Sequence, residues 1–375
     1  MRNAALLALV LFVALLSGCT TTARQRPVTR GELQALMRSR DVEAPEIVVP
    51  YRITPEMKEW AMARVPATVI GEEKKIYHLS AALFDPAEFG LEYEKTPTST
   101  AVEVFQTRKA NCLAFTHLFV GMARGLDVEA FFVEVRDVET YVKEGDLIVV
   151  SDHVAVGYGP GHDIKVIDFA LQPEETQYGR VSRITDHRAI AMYYSNRGAE
   201  FLRTGDYEDA RSWLLSAVTI DPGYASSWVN YGVSLRRNGD LEGAEKAYRN
   251  ALELDLHSSS ALQNLSALLY ARGENAEALE LLALADRSGN RNPYTYLTLG
   301  DLSMRHGKMD EAGRFYRKAL RRRSDSAEPL AAMGAWELEQ GGKRKARRLL
   351  EKAEEIDPQS VRVAMLKSSL GPNGG

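Results

Sequence analysis

Thiols are almost absent. Among 375 residues there are two cysteines, Cys19 and Cys112, so if the first is otherwise engaged the second has no partner within the chain. A lone thiol in an oxidising compartment is either buried and inert or kept because it is used. Long apolar runs are missing too. The uncharged stretch from Ala4 to Leu16 covers thirteen residues, short of the roughly 20 that a membrane-spanning helix needs, and no later stretch approaches that length. There is no excess of one charge: 47 basic against 51 acidic residues, formally −4, gives no footprint for nucleic acid. Phosphate loops, dinucleotide fingerprints and zinc motifs do not occur, so no cofactor and no metal is implied. His78, His162 and His187 have no carboxylate or cysteine at metal-ligand spacing, His117 lies one and a half helical turns beyond Cys112, and all four read as structural or solvated. What is present, 45% apolar residues over this length, suffices for two domains with a core each.

The amino terminus reads as an export signal: Arg2, the apolar run, then Leu16-Ser17-Gly18-Cys19. Leu-Ser-Gly-Cys resembles the bacterial lipobox, which implies removal of residues 1–18 and lipidation of Cys19. Two or more acyl chains hold a protein stably on a bilayer, so a membrane is one expected partner. By the same resemblance, Thr20 stands where an aspartate is associated with inner-membrane retention, and the implied address is the outer membrane, facing the periplasm. Residues 19–50 are polar with few aromatics and are expected to form a tether with one short helix around Glu32 to Arg40.

From about residue 191 the chain repeats itself. At an offset of thirty-four residues Gly198, Gly232, Ser266, Gly300 and Gly334 align, as do Ala210, Ala244, Ala278, Ala312 and Ala346, and Ala217, Ala251, Ala285, Ala319 and Ala353. That period, with Trp228-x2-Tyr231-Gly232-x2-Leu235 and Ala244-x3-Tyr248, is the tetratricopeptide (TPR) signature. It predicts five antiparallel helix pairs, at 191–224, 225–258, 259–292, 293–326 and 327–360, with small residues where the helices of a pair cross. An apolar helix from Val361 to about Leu370 would cap the last pair. The third unit is weakest, with Ser266 for glycine and Asn290 near the proline position. Such an array stacks into an all-α solenoid whose concave face commonly grips a peptide or partner helix. Asn230, Arg237, Asn264 and Arg305 are polar candidates for that face.

Residues 51–185 read as α+β. Thr54-Pro55 is an N-cap with proline at the first helical position, and a second helix runs from Gly71 toward Phe84. Ser99 and Thr100 can cap a third through Arg108. After Lys109-Ala110 a longer apolar helix begins at Cys112, with Leu113, Phe115, Leu118, Phe119 and Met122. Cys112 thereby falls at a helix N-terminus, where unpaired N–H groups and the macrodipole favour a thiolate. Three strands follow: Val128 to Val135, Leu147 to Tyr158 and Ile164 to Phe169. Gly159-Pro160-Gly161-His162 reads as a four-residue loop pairing Tyr158 with Asp163. In that register His153 lies directly opposite Asp168 on one face, whereas Asp152 and Asp163 point away.

Asn111-Cys112-Leu113-Ala114-Phe115, Ala123-Arg124-Gly125-Leu126, His153-Val154-Ala155-Val156 and Val166-Ile167-Asp168-Phe169 resemble the core of the transglutaminase-like superfamily over roughly residues 99 to 170. The resemblance implies a papain-like fold and a catalytic triad of Cys112, His153 and Asp168. Gln106 could donate to an oxyanion beside the Cys112 N–H, as a glutamine does in papain-like relatives. Asn111 and Leu113 depart from the glycine or aromatic that flanks the cysteine in many relatives, and Asp127 stands where glycine is common. The chemistry implied is attack of the Cys112 thiolate on an amide carbonyl, with His153 as base, to give a thioester. Water resolves it in a protease or amidase, an amine in a transglutaminase. The alternative is a catalytically silent scaffold lipoprotein whose repeats recruit an envelope protein. If the repeats present a polypeptide to the thiol domain, deleting 191–375 is expected to weaken capture and leave thiol reactivity intact.

Overall fold

A computed structural model describes residues 26–95, 97–144, 147–160, 163–169, 181–287 and 292–371, with backbone alone for 136–144, 147 and 151. The signal segment, Cys19, His162 and Asn290 lie outside the described residues. The amino-terminal domain comprises α1 (Arg30–Ser39), α2 (Pro55–Arg64), α3 (Glu72–Phe84), β1 (Glu92–Tyr93), α4 (Ala101–Thr107), β2 (Lys109–Ala110), α5 (Cys112–Gly125), β3 (Ala130–Glu144), β4 (Leu147–Tyr158), β5 (Lys165–Ile167) and β6 (Val181–Arg183). Short-range chemistry sets the helix starts. Thr29 with Glu32 and Thr100 with Glu103 form capping boxes for α1 and α4, and Thr54 caps α2 with Pro55 at its first position. Every side chain of α5 from Leu113 to Ala123 is buried. A helix apolar all round must be enclosed, and α5 is the element around which the domain packs.

The main sheet has the order β5-β4-β3-β6 with antiparallel neighbours, and β1 pairs with β2 in parallel. β3 and β4 pair from Ala130↔Tyr158 to Val135↔His153, shift register, and continue from Glu139↔Asp152 to Glu144↔Leu147. The far half of this hairpin runs on as two strands, beyond the residues that pair with β5 and β6. Ile148, Val149 and Val150 are buried among side chains of the repeats.

Residues 26–50, expected to belong to a tether, are instead built into the core. Leu33 and Met37, four apart on one face of α1, are buried. The Val28 amide donates to Tyr51 Oη at 2.9 Å, and the Val48 amide to Tyr194 Oη at 2.8 Å.

The solenoid pairs α6 (Asp186–Thr204) with α7 (Tyr207–Ile220), α8 (Ala225–Arg237) with α9 (Leu241–Leu254), α10 (Ser259–Ala271) with α11 (Asn275–Arg287), α12 (Pro293–Arg305) with α13 (Met309–Arg322), and α14 (Ala327–Glu339) with α15 (Lys343–Ile356). α16 (Val361–Leu370) packs on the last pair. A Cβ on Gly232 would stand 2.5 Å from the Tyr248 ring on the paired helix. In the third unit leucine occupies the corresponding position, Leu282, and Ser266 fits at the crossing, donating to the Ala278 carbonyl at 2.8 Å. Among the described residues no helix is long and apolar enough to cross a membrane.

His117 of α5 is fully buried against the rings of Phe132 and Tyr193, with centroids 5.6 and 6.0 Å away. Burial holds its imidazole down at about 3, against an ordinary value of 6.5. The unfolded chain takes up a proton below that ordinary value while the folded chain does not, so stability is lost as pH falls from it. This group alone should remove roughly 3 kcal/mol between pH 7 and pH 4. Urea unfolding at both pH values should show a smaller acid loss in His117→Leu, and an unchanged loss would acquit His117.

Candidate active site

Cys112 is the first residue of α5 and is partly exposed. Its position is fixed from both sides. Upstream, β1 and β2 pair Glu92 with Lys109 and Tyr93 with Ala110. At the turn, Asn111 is the N-cap: its Oδ1 accepts from the Ala114 amide at 2.9 Å and its Nδ2 donates to Thr98 Oγ1 at 3.0 Å. The departure from the family at Asn111 is therefore a cap that starts the thiol-bearing helix. Downstream, Thr116 Oγ1 donates to the Cys112 carbonyl at 2.7 Å. The departure at Asp127 has a backbone reason as well. Asp127 has φ +58°, a left-handed conformation that glycine enters freely and aspartate tolerates better than most residues.

His153 lies on β4 and Asp168 directly follows β5. The register differs from the one expected. Tyr158 pairs with Lys165, Gly157 with Val166 and Val156 with Ile167, so the connection is two residues longer and Asp168 continues the line opposite Ala155, not His153. A shift of two preserves the face, because side chains alternate with period two. Diagonal neighbours on one face remain within reach of a long side chain, and His153 Nε2 is hydrogen-bonded to Asp168 Oδ2. The bond to Asp168 occupies Nε2, which leaves Nδ1 for the Cys112 thiol, a hydrogen-bond neighbour of the same ring.

Both members of the pair are withdrawn from water, with 11% of the His153 side chain and 1% of the Asp168 side chain exposed. Burial, the largest influence on His153, acts to lower its pKa. The hydrogen bonds to Asp168 and Cys112 and the charges of both outweigh burial and push the imidazole up to about 10. The partners of His153 thus favour the charged form of its ring.

An aromatic stack fastens the end of β5. Phe169 lies parallel to Phe115 and Phe84, at 5.0 and 5.7 Å and 19° in each case, and Tyr93 leans on it at 5.7 Å. Tyr93 is a site residue that sequence reasoning does not find. Burial raises its phenol, and the charges of Cys112 and Asp168 add to the rise; the β1–β2 pair sets Tyr93 against Ala110, two residues before Cys112. Its only sequence signal is a short Glu92-Tyr93 extended step. Gln106 sits exposed on α4. Asp152 faces away from Asp168, as alternation requires, and accepts from Tyr224 Oη at 2.6 Å and Ser226 Oγ at 2.7 Å. Of the candidate groove residues, Asn230 and Asn264 are buried against β4 and Arg305 donates to Tyr270 Oη at 3.3 Å.

Residues 63–156 match the Transglutaminase-like superfamily, a span that contains Cys112 and His153 and stops short of Asp168. Residues 192–224, 232–293 and 293–326 match the Tetratricopeptide repeat. No curated protein matches the chain. Among solved structures, PilF of Pseudomonas aeruginosa is 22% identical over 50% of this chain and 85% of its own, with a TM-score of 0.44. YrrB, described as a TPR protein with an unusual peptide-binding site, is 18% identical over 48% of this chain and 92% of its own, at 0.34. TTC0263, a thermophilic TPR protein of Thermus thermophilus, is 19% identical over 48% of this chain and 98% of its own, at 0.41. The chain carries an N-terminal transglutaminase-like domain followed by a solenoid of tetratricopeptide repeats.

Proposed function

We propose that this chain is a lipoprotein, anchored through Cys19 to the outer membrane and facing the periplasm, whose Cys112–His153–Asp168 site acts on amide bonds through a thioester. The observation that carries the reading is the His153 ring held between the buried Asp168 carboxylate and the Cys112 thiol. In the reaction the Cys112 sulfur attacks the carbonyl carbon, His153 passes a proton to the leaving amine, and a thioester remains. Water or an acceptor amine then attacks it, His153 takes the proton of that nucleophile, and the Cys112 sulfur leaves as the thiolate, which restores the starting pair. Asp168 holds the ring orientation throughout. The helix start at Cys112 offers its unpaired backbone N–H groups to the oxyanion. TPR repeats generally mediate protein–protein interactions, and an open groove of about 920 Å³ lined by Tyr294, Asp301, Arg305, Glu328, Arg362 and Met365 is the surface we assign to a protein partner.

The test is alkylation of Cys112 as a function of pH in the Cys19→Ser chain, where Cys112 is the sole thiol. Fast alkylation well below pH 8, slowed about tenfold or more by His153→Ala, is the expected outcome. A His153→Ala profile that overlays the parent would turn the reading toward a silent scaffold.

A further inference from the structure

The inner face of the first three repeats is not vacant. Two asparagines one repeat period apart in sequence, Asn230 on α8 and Asn264 on α10, each grasp one residue of β4 by both of its backbone groups. Asn264 Oδ1 accepts from the Ile148 amide at 2.9 Å and its Nδ2 donates to the Ile148 carbonyl at 2.8 Å. Asn230 repeats the pattern on Val150, at 3.1 and 3.0 Å. Both asparagines are fully buried. Their geometry replaces a neighbouring strand with two side-chain amides.

The edge they cover explains why they are there. In a strand the backbone groups of residues two apart point to the same side, so Ile148, Val150 and Val156 share the edge of β4 that faces away from β3. β5 pairs with this edge at Val156, Gly157 and Tyr158 and then ends. Without another partner the rest of the edge would carry buried, unpaired amides and carbonyls, each costing about 1–3 kcal/mol. The asparagines supply the missing partners. Beside them Asp152, the residue before His153, is tied to Tyr224 and Ser226. His153 therefore sits between two clamps, β5 on one side and the repeats on the other. Across the sheet at the same point the β3–β4 register shifts between Val135 and Glu139, so β3 alone does not lock the strand there.

We infer that Asn230 and Asn264 are positioning residues for the thiol site: the repeats complete the edge of the strand that carries His153, and the array is part of the reaction centre rather than only a recruiter. The inference rests on the Cys112–His153 reading above. It also revises the expected effect of removing the repeats, since thiol reactivity and capture should fall together.

The experiment is the pH profile of Cys112 alkylation in the full Cys19→Ser chain carrying Asn230→Ala and Asn264→Ala. The expected result is a rate about tenfold below the parent at pH 6, converging with it above about pH 9, where an ordinary thiol ionises unaided. Far-UV circular dichroism and urea unfolding verify that the variant is folded. If the double variant does not fold, each single variant is read in the same way. Amide exchange in the parent gives a measurement independent of variants: Ile148 and Val150 should be protected like Val154 and Val156. A folded variant with the parent profile, or rapid exchange at Ile148 and Val150, overturns the inference. His153→Ala separates the two failures. If it flattens the profile while the asparagine variants do not, only the positioning role is lost; if it changes nothing, the thiol-site reading falls and the positioning role with it.

Discussion

Asp168→Ala will bring the titration of His153 down through neutrality and slow alkylation of Cys112 at pH 6–7 by about one to two orders of magnitude. The carboxylate is the first of the influences that hold the imidazole up to about 10 against burial, with the Cys112 contacts behind it. When it is removed, burial is opposed by the Cys112 contacts alone, and the ring gives up its charge at a lower pH. The sign for stability follows from linkage. A folded-state value raised above 6.5 contributes stability that is fully present below 6.5 and is lost as pH rises through about 10. The variant should thus be most destabilised relative to the parent in mild acid, by about 3–5 kcal/mol for breaking a buried pair, and least in alkali. Nuclear magnetic resonance titration of the His153 ring and urea unfolding at pH 6 and pH 10 measure both effects. A His153 titration unchanged by the substitution would contradict the pairing.

Asp186→Ala is expected to cost about 3–5 kcal/mol of unfolding free energy. Asp186 has no exposed surface and stands at the start of α6, where both its oxygens receive the Arg124 guanidinium, at 2.7 and 2.9 Å, and Oδ2 also accepts from Tyr51 Oη at 2.9 Å. Arg124 is in the last turn of α5 and also donates to the Ala130 carbonyl. One carboxylate therefore joins the central helix of the thiol domain, the segment before α2, and the first repeat helix. Burial and the Asp186 charge push the Tyr51 phenol well up, so that oxygen remains a donor at any pH the protein meets. Truncating the aspartate leaves a guanidinium and a hydroxyl buried without their acceptor. The Arg124→Ala, Asp186→Ala double variant should lose less than the two single losses combined, because the cost lies in the orphaned charge. Additive losses in urea unfolding would show that the contact is not coupled. Loss of signal from the thiol domain and the repeats in one transition is expected, because the network spans both.

The candidate site is legible in part from the residues alone. Cys112 at a helix start, and His153 and Asp168 on one face of adjacent strands, follow from N-cap chemistry and period-two alternation, and both rules survive a change of loop length by two residues. The direct opposition of His153 and Asp168 does not survive it. A glycine-rich loop constrains its own turn but not how many flanking residues join the ladder, and here the connection runs from Gly159 to Ile164 before Lys165 pairs. Tyr93 gives no usable signal because two-residue strands carry no periodicity. Residues 26–50 have the composition of a tether because Leu33 and Met37 are diluted by charged neighbours, and only their burial shows which face matters.

Whatever depends on neighbours along the chain is written in the sequence: the thirty-four-residue period and the small residues at each crossing, the capped starts of α1, α2 and α4, the apolar length of α5 and the alternation on β4. Such signals are local, and in a solenoid each unit contacts mainly the next. The remaining features exist only once the chain is folded. The bonds from Ile148 to Asn264 and from Val150 to Asn230 span 116 and 80 residues, and the Arg124–Asp186 pair spans 62. Backbone amides and carbonyls are the same at every position, so no residue pattern announces which asparagine will satisfy which strand edge. That pairing is fixed only when both cores are packed and the uncovered edge of β4 meets the inner face of the repeats.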